Sequence, residues 1–232
     1  MLARFNALLQ RRAWAVPDHP GLRQRELELA RAARRATADY IRARMRQAEM
    51  CSDREEVLDL AIRGMPRQGL VCEFGVFEGR TIRHIAQQVP GRAVFGFDSF
   101  EGLPEDWRGP FARGFFSTRG RLPRTPANVR LVKGWFDATL PRFAAAHRGP
   151  AALLHVDCDL YSSAKCIFTH LGDRVVPGSV IVFDEYFDYP GWQQHEFRAF
   201  AELVADADLR YEYLAYNRLH EQVAVRVTAR GR

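Results

Sequence analysis

Ala151-Ala-Leu-Leu-His-Val-Asp157-Cys-Asp159-Leu-Tyr161-Ser-Ser163 opens with an apolar run that stops abruptly at two carboxylates spaced i, i+2. On an extended chain those two side chains share a face. Carboxylates at the end of a buried strand cost folding energy unless something pairs with them. A second apolar run, Val180-Ile-Val-Phe183, ends in the same way at Asp184-Glu185-Tyr186. If the two strands are neighbours, three or four carboxylates meet at one edge of the sheet. Oxygen-only clusters of that kind suit a hard divalent cation such as Mg²⁺.

Upstream, Leu70-Val-Cys-Glu73-Phe-Gly75-Val-Phe-Glu78-Gly79-Arg-Thr81 reads as a strand, a turn with two glycines and a helix to about Gln88. The next strand ends in Asp98, roughly 20 residues past the glycine turn, which is the order of the mononucleotide-binding half of a doubly wound sheet. The glycines let backbone approach a ligand, and the acid can bond ribose hydroxyls. The spacing Gly75-x-x-x-Gly79 is not that of a dinucleotide fold, and Glu73 and Glu78 would repel a pyrophosphate. A ligand with a ribose and a cationic end fits better.

The remaining segments fill in an α/β pattern. Residues 1–20 are short, basic and broken by Pro17 and Pro20, and an Arg/Glu/Ala-rich helix is expected from about Arg23 to Met50. Ser52-Asp53-Arg54-Glu55-Glu56 offers an N-cap and an acidic first turn for a helix to about Arg63, ended by Gly64 and Pro66. Residues 1–65 thus form an expected helical extension or lid, and 66–232 the main domain. Residues 99–127 form a loop rich in Gly, Pro, Phe and Trp. A strand follows at 128–132, then a helix with Asp137 as its N-cap. Two late alternating strands, 210–216 and 222–228, give a hairpin. The sum predicts a mostly parallel sheet carrying an antiparallel strand, with helices on both faces.

Composition narrows the function classes. The 232 residues are 47% hydrophobic and 27% charged, ordinary for a globular protein. The net charge of +6 comes almost entirely from Arg, which fits a solvated helical face better than a nucleic-acid surface. Cys51, Cys72, Cys158 and Cys166 form no Cys-x-x-Cys pair, so structural zinc is not expected. No run is long enough to span a membrane, and the first residues lack a signal-peptide h-region, so a cytoplasmic location is the expectation.

Four motifs together resemble the macrocin-type O-methyltransferases: Glu73-Phe-Gly75-x-x-x-Gly79, Gly96-Phe-Asp98-Ser-Phe-Glu-Gly-Leu-Pro104, Lys133-Gly134-Trp-Phe-x-x-Thr139-Leu-Pro141, and His155-Val-Asp157-x-Asp159-Leu-Tyr161-Ser-Ser. The resemblance covers about residues 69–204. It implies a class I, Rossmann-like methyltransferase fold with a seven-stranded sheet whose last strand is antiparallel. It implies S-adenosylmethionine as cofactor, held near Glu73, Gly75, Gly79, Thr81, Asp98, Ser99, Gly134, Trp135, Phe136 and Asp157. It implies Mg²⁺ on Asp157, Asp184 and Glu185, with Asp159 as general base. The acceptor is then a hydroxyl of a sugar or glycoside, and the assembly a homodimer or higher. Two departures stand out. The family's Asp-Asp-Tyr reads Asp184-Glu185-Tyr186 here, and Phe187–Glu196 is not the antibiotic enzymes' sequence. His195, in that divergent stretch, is a candidate second base or substrate contact. His155 reads as a buried, hydrogen-bonded residue. A catechol-like phenol acceptor, or a cofactor-binding protein with a basic RNA or partner surface and no catalysis, are the alternatives.

Overall fold

The computed structural model describes residues 20–231. The basic segment read at residues 1–19 lies outside them. Among the described residues, eight strands form one sheet: β1 (Glu49–Met50), β2 (Leu70–Phe74), β3 (Val94–Asp98), β4 (Val129–Lys133), β5 (Ala151–Val156), β6 (Val180–Phe183), β7 (Leu209–Tyr216) and β8 (Val223–Arg230). Their order is β1-β7-β8-β6-β5-β2-β3-β4. Only β8 runs against its neighbours, pairing antiparallel with both β6 and β7. Among the described residues, six α-helices accompany the sheet: α1 (Pro20–Arg44), α2 (Arg54–Gly64), α3 (Arg80–Gln88), α4 (Phe136–Ala146), α5 (Tyr161–Leu171) and α6 (Glu196–Asp206).

Strand alternation divides the core in two. Cys72, Phe74, Leu154, Val156, Ile181 and Phe183 face one layer, built with α4, α5 and α6. Val71, Val94, Leu153, Val180 and Val182 face the other, built with α2 and α3. All six residues of β5 are buried, as a central parallel strand covered on both faces requires.

Two expectations are corrected. The first helix ends at Arg44, not near Met50. The chain turns through Met45–Ala48, and Glu49–Met50 pairs in parallel with Ala215–Tyr216 of β7, giving the sheet an eighth strand where seven were expected. Asp137 lies in the first turn of α4, whose N-cap is Trp135. Asp53 does cap α2, accepting from the Glu56 N–H at 2.9 Å. Residues 49–64 share the core with the strands of the main sheet, since Val57, Leu58 and Ala61 of α2 are buried in the second layer.

Candidate active site

The parallel register explains how the acids meet. Val156 of β5 lies opposite Phe183 of β6, so the next residue on each strand, Asp157 and Asp184, emerges side by side. The ladder continues one step: the Asp184 N–H donates to the Val156 carbonyl and the Asp157 N–H to the Phe74 carbonyl, both at 2.9 Å. Asp157 and Asp184 share the face of His155, whose register partner on β2 is Glu73. Ligand atoms of His155, Asp157 and Asp184 lie within 4.8 Å of one another.

Glu73 and His155 are both fully buried, and His155 Nδ1 lies 2.9 Å from Glu73 Oε2. His155 Nε2 faces Asp184 Oδ1 at 3.9 Å, an ion-pair distance rather than a hydrogen bond. Burial disfavours charge on His155, but Asp184 and Glu73 outweigh it and push the imidazole up to about 10. Raised in this way, His155 favours its protonated form, which has no lone pair to offer a metal. Asp184 is further held by Gln222 Nε2 at 2.6 Å and by Arg54, the first residue of α2, at 3.8 Å. Burial would raise its carboxyl, but Arg54 and His155 hold it well below the usual range. Its neighbours go the other way. Burial, then the charge of Asp184, raises Asp157 and Glu185. Burial pushes Asp159 up to about 7 against the pull of Arg108. Like charges at such range do not all ionise without a counter-cation. Glu185 Oε2 is buried and has no hydrogen-bond partner.

These acids border a cavity of about 660 Å³, lined also by Gly75, Thr81, Asp98, Ser99, Gly134, Trp135 and Phe136. Its size is that of a small-molecule site. Gly75 closes the turn after β2 at φ +95°, where a Cβ would sit 1.7 Å from the Asp157 carbonyl oxygen. Asp98 holds this turn from the next strand. Its Oδ2 accepts from the Val76 and Phe77 N–H groups at 2.8 and 2.7 Å, and its Oδ1 from Phe100 at 2.6 Å. The loop at 99–127 supplies an apolar wall of Leu103, Trp107, Phe111 and Phe116. On that wall Arg108 lies between the rings of Trp107 and Tyr189, 4.2 and 3.8 Å from their centroids, and pairs through both nitrogens with Glu221.

Of the residues singled out in sequence, Asp157, Asp159, Asp184, Glu185, Gly75, Thr81, Asp98, Ser99, Gly134, Trp135 and Phe136 line this cavity. Three do not. Glu73 lies beneath it, spent on His155. Gly79 is the left-handed N-cap of α3. His195 is the N-cap of α6, half-buried with its ring near Trp107 and Tyr189. Glu196, the next residue, is fully buried, and its carboxylate meets the backbone of both acid-bearing loops. Arg54, Gln222, Arg108, Glu221 and Glu196 were not found from the sequence as site residues. No local pattern marks them, because each pairs with a residue far along the chain.

An open α/β sheet with an antiparallel last strand, a glycine turn at the end of a central strand and a strand-end acid beside it are the features of the class I methyltransferase fold. The family described as "Methyltransferase domain" matches residues 72–186, so that stretch resembles a methyltransferase domain. A relative in Streptomyces olivaceus, 8-demethyl-8-(2,3-dimethoxy-alpha-L-rhamnosyl)-tetracenomycin-C 4'-O-methyltransferase, is 31% identical over 146 residues, 53% of this chain and 54% of the relative. The match thus spans about half the length of that protein. Among solved structures, the O-methyltransferase NovP superposes with a TM-score of 0.54 at 23% identity, over 75% of this chain and 80% of its own. The calicheamicin methyltransferase CalS11 does so with a TM-score of 0.54 at 22% identity, over 97% and 91%. No helix among the described residues is long and apolar enough to cross a membrane.

Proposed function

We propose that this protein transfers a methyl group from S-adenosylmethionine to a hydroxyl of a sugar or glycoside-like small molecule, assisted by Mg²⁺. One observation carries the reading: the acids at the ends of β5 and β6 open onto the same cavity as the Gly75 turn and Asp98. The Streptomyces olivaceus relative, named for 4'-O-methylation of a rhamnosyl-tetracenomycin, supports the acceptor class.

The residues fit both groups. Asp157, Asp184 and Glu185 would hold the cation: all three are oxygen donors, and the unpartnered Glu185 Oε2 needs a positive charge or a donor to offset its burial. Gly75, Asp98, Ser99 and Gly134–Phe136 would hold the cofactor, with acidic walls that tolerate a sulfonium. When bound, S-adenosylmethionine supplies an electrophilic methyl group, and Mg²⁺ supplies Lewis acidity that lowers the pKa of an oxygen acid. Asp159, kept at about 7, takes the proton of the acceptor hydroxyl. The aromatic loop shields the acceptor from water, and the fixed acids aim it, which accounts for much of the barrier reduction in such transfers. The same wall of Trp107, Phe111 and Phe116 also suits a catechol-like phenol, the second reading.

Mass spectrometry of reactions with S-adenosylmethionine and a panel of rhamnosyl glycosides and catechols tests this, with EDTA or Mg²⁺. The expected result is a singly methylated glycoside, abolished by EDTA and restored by Mg²⁺. Asp159→Asn should lower kcat by about 10²- to 10⁴-fold and leave S-adenosylhomocysteine affinity unchanged. Methylated catechols alone would favour the second reading. No product from any acceptor with metal present, or full turnover by Asp159→Asn, would refute the proposal.

A further inference from the structure

The proposed chemistry leaves one buried carboxylate without a task. Glu196 opens α6 with no exposed surface, lines no part of the cavity and belongs to no ligand set. Yet its Oε1 accepts from the Cys158 N–H at 3.2 Å and the Asp159 N–H at 3.1 Å, and its Oε2 from the Glu185 N–H at 3.4 Å. Successive backbone N–H groups that converge on one point form a nest that accepts an oxygen, and here the protein's own Glu196 carboxyl group occupies it. Asp159 in the same turn adopts φ +65°, a left-handed conformation uncommon for a non-glycine residue.

We infer that Glu196 is a positioning residue: it staples the turn carrying Asp157 and Asp159 to the loop carrying Glu185, fixing the spacing of the acids at the ends of β5 and β6. A carboxyl group set among four other acids is costly to bury, and without it three backbone N–H groups would lose their acceptor. With a cation at the rim in place of the protons it displaces, Glu196 would be ionised, and a carboxylate offers two acceptor oxygens for three donors. Glutamine keeps the shape but turns an NH₂ group toward one of those N–H donors. Aspartate keeps the chemistry and falls one methylene short.

The inference rests on the proposed roles of Asp157, Asp159 and Glu185, and its test separates the two. Glu196→Gln and Glu196→Asp would be compared with the parent by calorimetry with Mg²⁺ alone, calorimetry with S-adenosylhomocysteine, melting temperature, and kcat and KM. For Glu196→Gln we expect Mg²⁺ affinity and kcat each to fall about 10- to 100-fold, the loss typical when a group orienting metal ligands is removed. S-adenosylhomocysteine affinity and the KM for S-adenosylmethionine should stay within about twofold, because the cofactor contacts lie on β2, β3 and the β4–α4 turn. Glu196→Asp should recover part of both losses, and it carries the test if Glu196→Gln does not fold. Unchanged Mg²⁺ affinity and kcat overturn the inference. So does a parallel fall in S-adenosylhomocysteine affinity and melting temperature, which would mean general support of the fold. A parent protein that binds Mg²⁺ but methylates no hydroxyl overturns the proposed function instead, and the Mg²⁺ titrations still decide the role of Glu196.

Discussion

Asp98 is the residue whose observed work differs most from its sequence reading. A strand-end acid was expected to meet ribose hydroxyls, and it lines the cavity as that requires. It also accepts three backbone N–H groups from the glycine turn and its own loop. Hydrogen bonds to an ionised acceptor are worth about 1.5–3 kcal/mol each. Asparagine keeps one acceptor oxygen and sets an NH₂ group against N–H donors. Asp98→Asn should therefore lower stability by about 2 kcal/mol in chemical denaturation and weaken S-adenosylhomocysteine about tenfold or more by calorimetry. Wild-type stability with weakened binding would assign Asp98 to the ligand alone. The acids at strand ends were legible because a carboxylate that stops an apolar run has few explanations other than a site. Their partners were not. Glu196 meets Cys158 across 38 positions, and Gln222 meets Asp184 across 38, and no periodicity links such pairs before the chain is folded.

At the scale of elements, the strands read well and the joints less so. β2, β3, β5 and β6 are apolar runs with abrupt ends, and parallel pairing preserved those ends as one rim. The end of α1 at Arg44 carried no signal, since no Gly or Pro marks it. What stops the helix is a tertiary opportunity: Glu49 and Met50 satisfy their backbone on the edge of β7. The joint that matters most is the turn at Gly75, where β2 hands the chain to α3 against the start of the β5 loop. A methyl group there meets the Asp157 carbonyl oxygen at 1.7 Å, whereas at Gly91 it meets nothing within 4 Å, with no left-handed φ. Gly75→Ala must pry β2 from β5 and hold alanine at positive φ, at a combined cost of about 3 kcal/mol or more. It should abolish S-adenosylhomocysteine binding as well, because the Gly75 turn is itself one of the proposed cofactor contacts. Gly91→Ala should change the unfolding free energy by less than about 1 kcal/mol. A Gly75→Ala protein as stable and as tightly binding as the parent would disprove the close approach of the two strands.

The whole molecule stores several displaced protons at one rim, and its stability should report them. Burial raises Asp159 from 3.8 to about 7 and Glu196 from 4.5 to about 8, and it raises Asp157 and Glu185 in the same direction. The folded metal-free protein thus holds protons that the unfolded chain has released above about pH 5. The unfolding free energy falls with pH wherever the folded state binds more protons. These carboxyls give up stability as the pH climbs toward 7–8. His155, raised from 6.5 to about 10, contributes stability that is complete below 6.5 and lost as the pH rises through about 10. His195 and His220 are lowered, chiefly by burial, and act oppositely, but their effect is finished by about pH 7. Between pH 7 and 9 all the other displaced groups named here push one way. A divalent cation would take the place of the rim protons and bind more tightly as they leave, stabilising the folded state by mass action. If the rim loses about 2 kcal/mol over that interval, the melting temperature in EDTA should drop by about 4–8 °C. Scanning calorimetry in EDTA and in millimolar Mg²⁺, from pH 6 to 9, should show two curves that diverge with pH. A flat or rising curve in EDTA, or a Mg²⁺ shift no larger at pH 9 than at pH 6, would mean that the carboxylates are not crowded as the register of β5 and β6 places them.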